Sequence, residues 1–314
     1  MANLSPQAIE QAAKCIDPVF LNTPQFELDV LNNWLGIELV LKVETLNPIR
    51  CFKGRGTDYF VQQYAHASSF VCASAGNFGQ GMAYACRKWA IPLTVFAAAT
   101  ANPLKLERMR ELGAEIHLAG EDFDASKEAA KAYAAEKNHP FIEDGREVAI
   151  SIGAGTIGLE LSQYSTTIDT LLVPVGNGAL INGIAAWYKA HQPSTQVIGV
   201  VAQGAPTMAL SWQQGQPIPT ATVNTIADGI AVRTPVPEAL KTMTTLVDDV
   251  VQVTDNAILE AMRLLHRLAG VVVEPAGAVG VAAATVYKNR FAGHQVATTL
   301  CGSNLTKAQI AQWL

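Results

Sequence analysis

Short apolar runs alternate with helix-like segments along most of this 314-residue chain. This alternation constrains the fold strongly, because strands separated by helices usually pair in parallel, with helices on both faces of the sheet. The sequence therefore predicts an α/β protein built on mainly parallel strands. The predicted strands are 71–73, 93–97, 115–118, 171–175, 196–201, 250–253 and 296–300, and the predicted helices are 78–89, 105–112, 125–138, 157–164, 180–191, 256–269 and 278–287. The segment 211–225 is predicted to be a surface loop.

Composition excludes several classes of protein. Hydrophobic residues make up 49% of the chain and charged residues 16%, which supplies a large core and does not match a disordered chain. A formal net charge of −5 disfavours a nucleic-acid partner. No uncharged apolar run is long enough to span a membrane, and the N-terminus lacks the pattern of a secretory signal. The five cysteines have no CxxC spacing, so we expect free thiols and a cytoplasmic protein.

One lysine has an unusual setting. Lys53 stands between Phe52 and Gly54, shortly after the apolar run 37–43. A lysine that forms a Schiff base needs such a setting, because burial disfavours its charged form and leaves a nucleophilic amine. Taken alone, this context also fits an ordinary surface lysine.

Two small-residue turns also join an apolar strand to a helix. The first consists of Ser74, Ala75, Gly76 and Asn77, and the second of Gly176, Asn177, Gly178 and Ala179. Such a helix start exposes backbone N–H groups that bind a carboxylate or a phosphate, and small residues let the anion approach the main chain. The second turn lacks the spacing of a dinucleotide-binding fingerprint or a P-loop. Each turn alone could be an ordinary strand-to-helix connection.

The order and spacing of these motifs resemble the fold-type II pyridoxal-5′-phosphate (PLP) enzymes, in particular the serine/threonine dehydratase and serine racemase family. The resemblance covers nearly the whole chain and also includes segments 22–24, 153–156, 225–229, 274–278 and 301–304. It implies an α/β, tryptophan-synthase-β-like architecture with two open, twisted, mainly parallel sheets and flanking helices. It also implies a small domain, 57–145, inserted in a large PLP-binding domain formed by 1–56 and 146–314, with the active site in the cleft between them.

The resemblance implies a role for each motif. Lys53 is expected to bind the cofactor covalently and then to remove the substrate's Cα proton. The other implied cofactor contacts are Phe52, Asn77, Gly176, Asn177, Gly178, Ala179 and Cys301, and the implied substrate contacts are Ser74, Ala75, Gly76, Asn77 and Arg146. Cys301 is expected to face the pyridine nitrogen. A neutral thiol there does not hold that nitrogen protonated, which favours β-elimination over a long-lived carbanion.

The expected reaction is β-elimination from a hydroxyamino acid such as L-threonine or L-serine, giving a 2-oxo acid and ammonia. The alternatives are racemisation, β-replacement, or a catalytically silent homologue. Racemases of this group carry a hydroxyl residue just before the Gly-Asn pair, whereas this chain has Ala75, whose methyl group cannot transfer a proton. The expected partners are a small amino-acid substrate and a second copy of the chain in a homodimer.

Several positions depart from the family pattern. Asn177 and Ala179 stand in a phosphate loop that is usually all glycine, and Phe78 stands where many relatives carry histidine. Gln203 replaces the glutamate of divalent-metal-dependent relatives, so no metal site is predicted there. Glu274 could hold a cation or be a buried acid bonded to the backbone.

The segment Gly145-Arg146 also differs from relatives and is expected beside the cleft. Since arginine in a pocket usually meets an anion, Arg146 is predicted to contact an acidic group of the substrate. The alternative is a salt bridge from Arg146 to a nearby acid such as Glu143 or Asp144.

Overall fold

The computed structural model describes residues 3–314, which form two β-sheets with helices packed on their faces. The strands are β1 (Gln25–Phe26), β2 (Glu38–Val43), β3 (Phe70–Ala73), β4 (Leu93–Ala97), β5 (Glu115–Leu118), β6 (Phe141–Ile142), β7 (Thr170–Pro174), β8 (Gln196–Ala202), β9 (Asp249–Val253) and β10 (Gln295–Leu300). The α-helices are α1 (Pro6–Cys15), α2 (Asp29–Leu35), α3 (Lys53–Gln63), α4 (Asn77–Lys88), α5 (Pro103–Glu111), α6 (Phe123–Lys137), α7 (Val148–Leu161), α8 (Ala179–His191), α9 (Thr207–Gln214), α10 (Pro237–Leu246), α11 (Asp255–Leu264), α12 (Pro275–Val286) and α13 (Lys307–Trp313).

The larger sheet has the strand order β1-β2-β10-β7-β8-β9, and the smaller sheet has the order β5-β4-β3-β6. All neighbouring strands pair in parallel except β1, which runs antiparallel to β2. The predicted α/β fold with two mainly parallel sheets is confirmed. Its strands β7 and β8 are buried along almost their whole length, which explains their nearly uninterrupted apolar sequences.

The chain path separates the two sheets. The smaller sheet uses only strands between residues 70 and 142, whereas the larger sheet takes strands from both flanking parts of the chain. The predicted domain limits at 57 and 145 enclose the smaller sheet, and the limits themselves stay a prediction.

Close helix packing on the larger sheet depends on glycine. A Cβ on Gly153 in α7 would lie 2.5 Å from the carbonyl oxygen of Arg55 in α3. The helix that carries Lys53 therefore packs directly on α7. Arg55 itself is fully buried and bonds to Glu44 and Glu160 at 2.8 and 2.6 Å. These two carboxylates offset the cost of burying the guanidinium and tie the start of α3 to both neighbours.

Most predicted limits lie within three residues of those in the structure, and three segments differ more substantially. The helix predicted at 157–164 is α7 and begins at Val148, because α7 is apolar on all sides and has no amphipathic pattern to mark its start. The predicted loop 211–225 begins only after α9, which ends at Gln214 and is capped by Gly215 with φ +66°. The helix predicted at 256–269 is α-helical to Leu264 and π-helical over Leu265–Ala269. Between residues 3 and 314 no helix has the length and apolar character needed to cross a membrane.

Candidate active site

A cavity of about 580 Å³ lies where the turns after several parallel strands meet. The carboxyl ends of parallel strands commonly bind ligands in this way. The cavity lining includes Phe52, Lys53, Ser74, Ala75, Gly76, Asn77, Gly176, Asn177, Gly178, Ala179 and Cys301. Residues predicted from four separate parts of the sequence therefore share one cavity.

Lys53 is the first residue of α3 and is held beside the end of β10. The Phe52 N–H donates to the Cys301 carbonyl oxygen at 3.0 Å, and a β-bridge joins Cys51 to Gly302. Lys53 Nζ lies 4.6 Å from the centroid of the Phe52 ring and 2.6 Å from Asp144 Oδ2. The amine is thus mostly enclosed, with a carboxylate in direct contact.

The turn 74–77 leads from β3 into α4 and is fixed by its own serine. Ser74 Oγ accepts hydrogen bonds from the N–H groups of Gly76 at 3.2 Å and Gly79 at 2.9 Å. Asn77 Nδ2 donates to Glu274 Oε1 at 2.5 Å, and Asn77 Oδ1 accepts from Asn304 Nδ2 at 2.8 Å. The turn is therefore preformed, with its backbone open to the cavity.

Glu274 is fully buried beneath this turn. Burial raises its pKa, although the nearby Lys105 ammonium acts in the opposite direction. Its Oε2 accepts the N–H of Asn304 at 3.0 Å. Lys105 forms an ion pair with Asp228, so this pair and Glu274 together line the cavity next to Asn77.

The turn after β7 leads into α8 and suits a phosphate. Gly178 caps α8 with φ +93°, a left-handed conformation that strongly favours glycine. The first turn of any α-helix has N–H groups without intrahelical partners, and here that turn begins at the cavity. Asn177 and Ala179, which depart from the all-glycine pattern, belong to this preformed turn.

Cys301 closes the cavity at the end of β10. The thiol is buried, and burial raises its pKa well above the ordinary value, so the group is neutral. One cavity therefore combines an enclosed lysine, a helix start for an anion and a neutral thiol. This donor set fits PLP, which carries an aldehyde, a phosphate and a pyridine nitrogen.

The chain matches the model of the family described as pyridoxal-phosphate dependent enzyme over residues 16–302. The chain belongs to this family. PLP is accordingly its cofactor.

Relatives of this PLP-family chain include two curated bacterial enzymes and a solved plant structure. It is 33% identical over 312 residues to a biosynthetic L-threonine dehydratase of Lactococcus lactis, covering 96% of this chain and 75% of the relative. It is 34% identical over 303 residues to an L-threonine ammonia-lyase of Thermotoga maritima, covering 95% and 75%. It is also similar to the structure of maize serine racemase, with a TM-score of 0.92, 27% identity, and coverage of 98% and 96%.

One predicted site residue of this PLP-family chain lies elsewhere. The Arg146 side chain is 56% exposed, is not part of the cavity lining, and places its Nε 3.6 Å from Glu238. Gly145, with φ +89°, packs against Asn177, and the chain then leaves the cavity. The structure therefore does not bring Arg146 to the predicted substrate side. The predicted alternative partners are engaged elsewhere, Glu143 with Lys127 and Asp144 with Lys53.

Sequence reasoning missed Asp144 and the Lys105–Asp228 pair as residues of the site. Asp144 is the second residue after β6, and β6 pairs in parallel with β3. Ser74 follows β3 at the carboxyl edge of this sheet, and Asp144 follows the neighbouring strand at the same edge. This placement could have indicated that Asp144 lies near the site. Lys105 and Asp228 lie 123 residues apart in the chain, and their meeting has no local signal.

Proposed function

We propose that this chain catalyses PLP-dependent β-elimination of a hydroxyamino acid such as L-threonine or L-serine, with release of a 2-oxo acid and ammonia. The observation that carries the proposal is that Lys53 and the turn 74–77 line the same cavity. This turn would bind the substrate carboxylate, and it has Ala75 at the position where a racemase would need a second acid–base residue. The two bacterial relatives, named for threonine dehydratase and ammonia-lyase activity, support the same reaction.

The roles of the chain's own residues follow from their positions. PLP, when bound, withdraws electrons from the amino acid and makes its Cα proton acidic. Lys53 takes that proton, while N–H groups of the turn 74–77 bind the substrate carboxylate. The start of α8 binds the phosphate, and the neutral Cys301 thiol leaves the pyridine nitrogen without a strong proton donor or counter-ion. The β-hydroxyl takes up a proton, which balances the one that Lys53 removed from Cα, and departs as water. Water then hydrolyses the imine form of the product to the 2-oxo acid and ammonia.

The geometry disfavours racemisation. Two groups that serve one carbon from opposite faces stand about 6 Å apart, because each must come within about 3 Å of it. Asp144 Oδ2 is 2.6 Å from Lys53 Nζ, so these two groups lie on the same side. The Ala75 methyl cannot act as an acid or a base. Elimination requires only the single base, Lys53.

The test is incubation of the purified holoenzyme with a panel of amino acids, measuring 2-oxo acid, ammonia and D-enantiomer. We expect 2-oxo acid from L-threonine or L-serine, faster than any D-enantiomer. The protein should have a visible absorption band that borohydride removes, and mass spectrometry should find the cofactor attached to Lys53. Lys53→Ala, the control, should lose both band and activity. Racemisation faster than ammonia release, or an adduct on another lysine, would contradict the proposal.

We further propose a cytoplasmic homodimer. The exposed apolar side chains Val30 and Trp34, four residues apart on α2, support a contact with a second copy. The five cysteines are free thiols and four of them are buried, which suits a reducing compartment. Sedimentation velocity with and without Trp34→Glu tests the dimer, and a monomer in both samples would contradict it.

A further inference from the structure

Asp144 and Lys53 form a close ion pair inside the cavity. Asp144 Oδ2 lies 2.6 Å from Lys53 Nζ, and the two side chains are 12% and 13% exposed. We propose that Asp144 is a positioning residue for the reaction: it orients the free Lys53 side chain and stabilises the positive charge that the amine acquires with the Cα proton. This inference rests on the proposed function, because it takes Lys53 as the base.

A lysine acts as a base through a free amine, and the Lys53 Nζ lies in direct contact with the Asp144 carboxylate. When the Cα–H bond breaks, the proton goes to Nζ and the electron pair stays on the substrate. The neutral amine thereby becomes an ammonium next to the Asp144 carboxylate. In a mostly enclosed site this charge pair is much stronger than in water, so the contact favours proton transfer.

The backbone holds Asp144 in place from both sides. On one side, β6 pairs with β3, with Phe141 opposite Val71. On the other side, a Cβ on Gly145 would lie 2.9 Å from the Asn177 Cβ, so Gly145 packs directly against the turn 176–179. The position of the carboxylate relative to Lys53 is therefore set by the two turns that form the site.

The neighbouring charges are already engaged. Lys105 pairs with Asp228, and Lys127 pairs with Glu143 at 3.0 Å. Asp144 Oδ1 is buried and makes no hydrogen bond within residues 3–314. The contact with Lys53 is thus the main interaction of this carboxylate, and removal of the carboxylate leaves the ammonium without its direct counter-ion.

The experiment compares holoenzymes of the wild type, Asp144→Asn, Asp144→Glu and Asp248→Asn. Asp248 is the matched control, since it also contacts a lysine, Lys189, at 2.6 Å, but it does not line the cavity. Each protein is incubated in D₂O with L-serine, L-threonine and L-alanine. Loss of the Cα–H signal is followed by NMR, 2-oxo acid release by a coupled assay, and PLP content by absorbance.

We expect Asp144→Asn to slow Cα–H loss by about 10- to 100-fold at unchanged PLP content, the effect of one lost charged hydrogen bond. Asp144→Glu should recover part of the rate, and Asp248→Asn should match the wild type. A wild-type rate in Asp144→Asn, or a loss that only follows PLP content, would overturn the inference.

If the wild type exchanges Cα–H without releasing 2-oxo acid, the proposed elimination fails and the role of Asp144 stands. If the wild type exchanges none of the three, both fail.

Discussion

Asn77 Nδ2 donates to Glu274 Oε1 at 2.5 Å and thereby joins the first turn of α4 to the residue before α12. The contact links the layer of the smaller sheet to that of the larger sheet at the edge of the cavity. Because Glu274 is fully buried there, its ionisation couples the stability of the fold to pH.

Glu274→Gln tests this coupling. Burial raises the pKa of Glu274, so its contribution to stability is complete below the ordinary value of 4.5 and is lost as pH rises through the raised pKa. We compare the free energy of unfolding of the wild type with that of Glu274→Gln. Above about pH 4.5 we expect the wild-type value to fall relative to the variant, by at most about 1.4 kcal/mol per pH unit. Urea unfolding at several pH values measures the slope. A pH-independent difference would mean that Glu274 titrates normally.

Glu160→Gln should show the opposite pH dependence. Burial alone would raise the pKa of Glu160, but hydrogen bonds and charges from Arg55 and Lys42 lower it to about 2. Its contribution is therefore present above 4.5 and is lost as pH falls towards 2. We expect Glu160→Gln to lower the free energy of unfolding by about 3 kcal/mol at neutral pH and by progressively less as the pH falls.

A surface pair serves as the control for Glu160. Glu136 is 71% exposed and lies 3.0 Å from Lys137. Glu136→Gln should change the free energy of unfolding by less than about 1 kcal/mol. A constant loss for Glu160→Gln across pH would show that it disturbs packing rather than charge.

Gly178→Ala should weaken PLP binding. An alanine at φ +93° costs about 1–2 kcal/mol, and its Cβ would lie 3.2 Å from the Ala239 Cβ. Because the strain falls in the turn 176–179, which would bind the phosphate, we expect the PLP concentration that restores half of the activity to the apoenzyme to rise about tenfold. Gly215→Ala is the control, with φ +66° and no atom within 4 Å of the new Cβ. Its alanine would also adopt a left-handed conformation, but away from the cavity, so PLP binding should not change. Equal effects in both variants would contradict the prediction.

Arg146→Ala should leave catalysis nearly unchanged. Its exposed side chain lies 3.6 Å from Glu238, and exposed pairs contribute less than about 1 kcal/mol. We therefore expect wild-type kcat/KM for serine, threonine and acidic amino acids, with a small stability loss that Glu238→Gln reproduces. A tenfold fall in kcat/KM for an acidic substrate alone would return Arg146 to a substrate-binding role.

The sequence determined the local units of this protein by itself. Apolar runs followed by small-residue turns predicted the strands, the helix starts and the parallel sheets, because each unit depends on residues within about one turn of one another. For the same reason, the sequence predicted the setting of Lys53 and the turns at 74–77 and 176–179. The limits of α7 were not, because an apolar helix has no amphipathic boundary.

Only the tertiary structure decided which side chains meet. Asp144 contacts Lys53 across 91 residues of chain, and its neighbour Arg146 leaves the cavity because Gly145 rests on Asn177. Both outcomes depend on how the smaller sheet lies against the turn after β7. Such contacts between distant segments leave no periodic pattern in the sequence, so the direction of a charged side chain at a strand end is set by packing between the sheets.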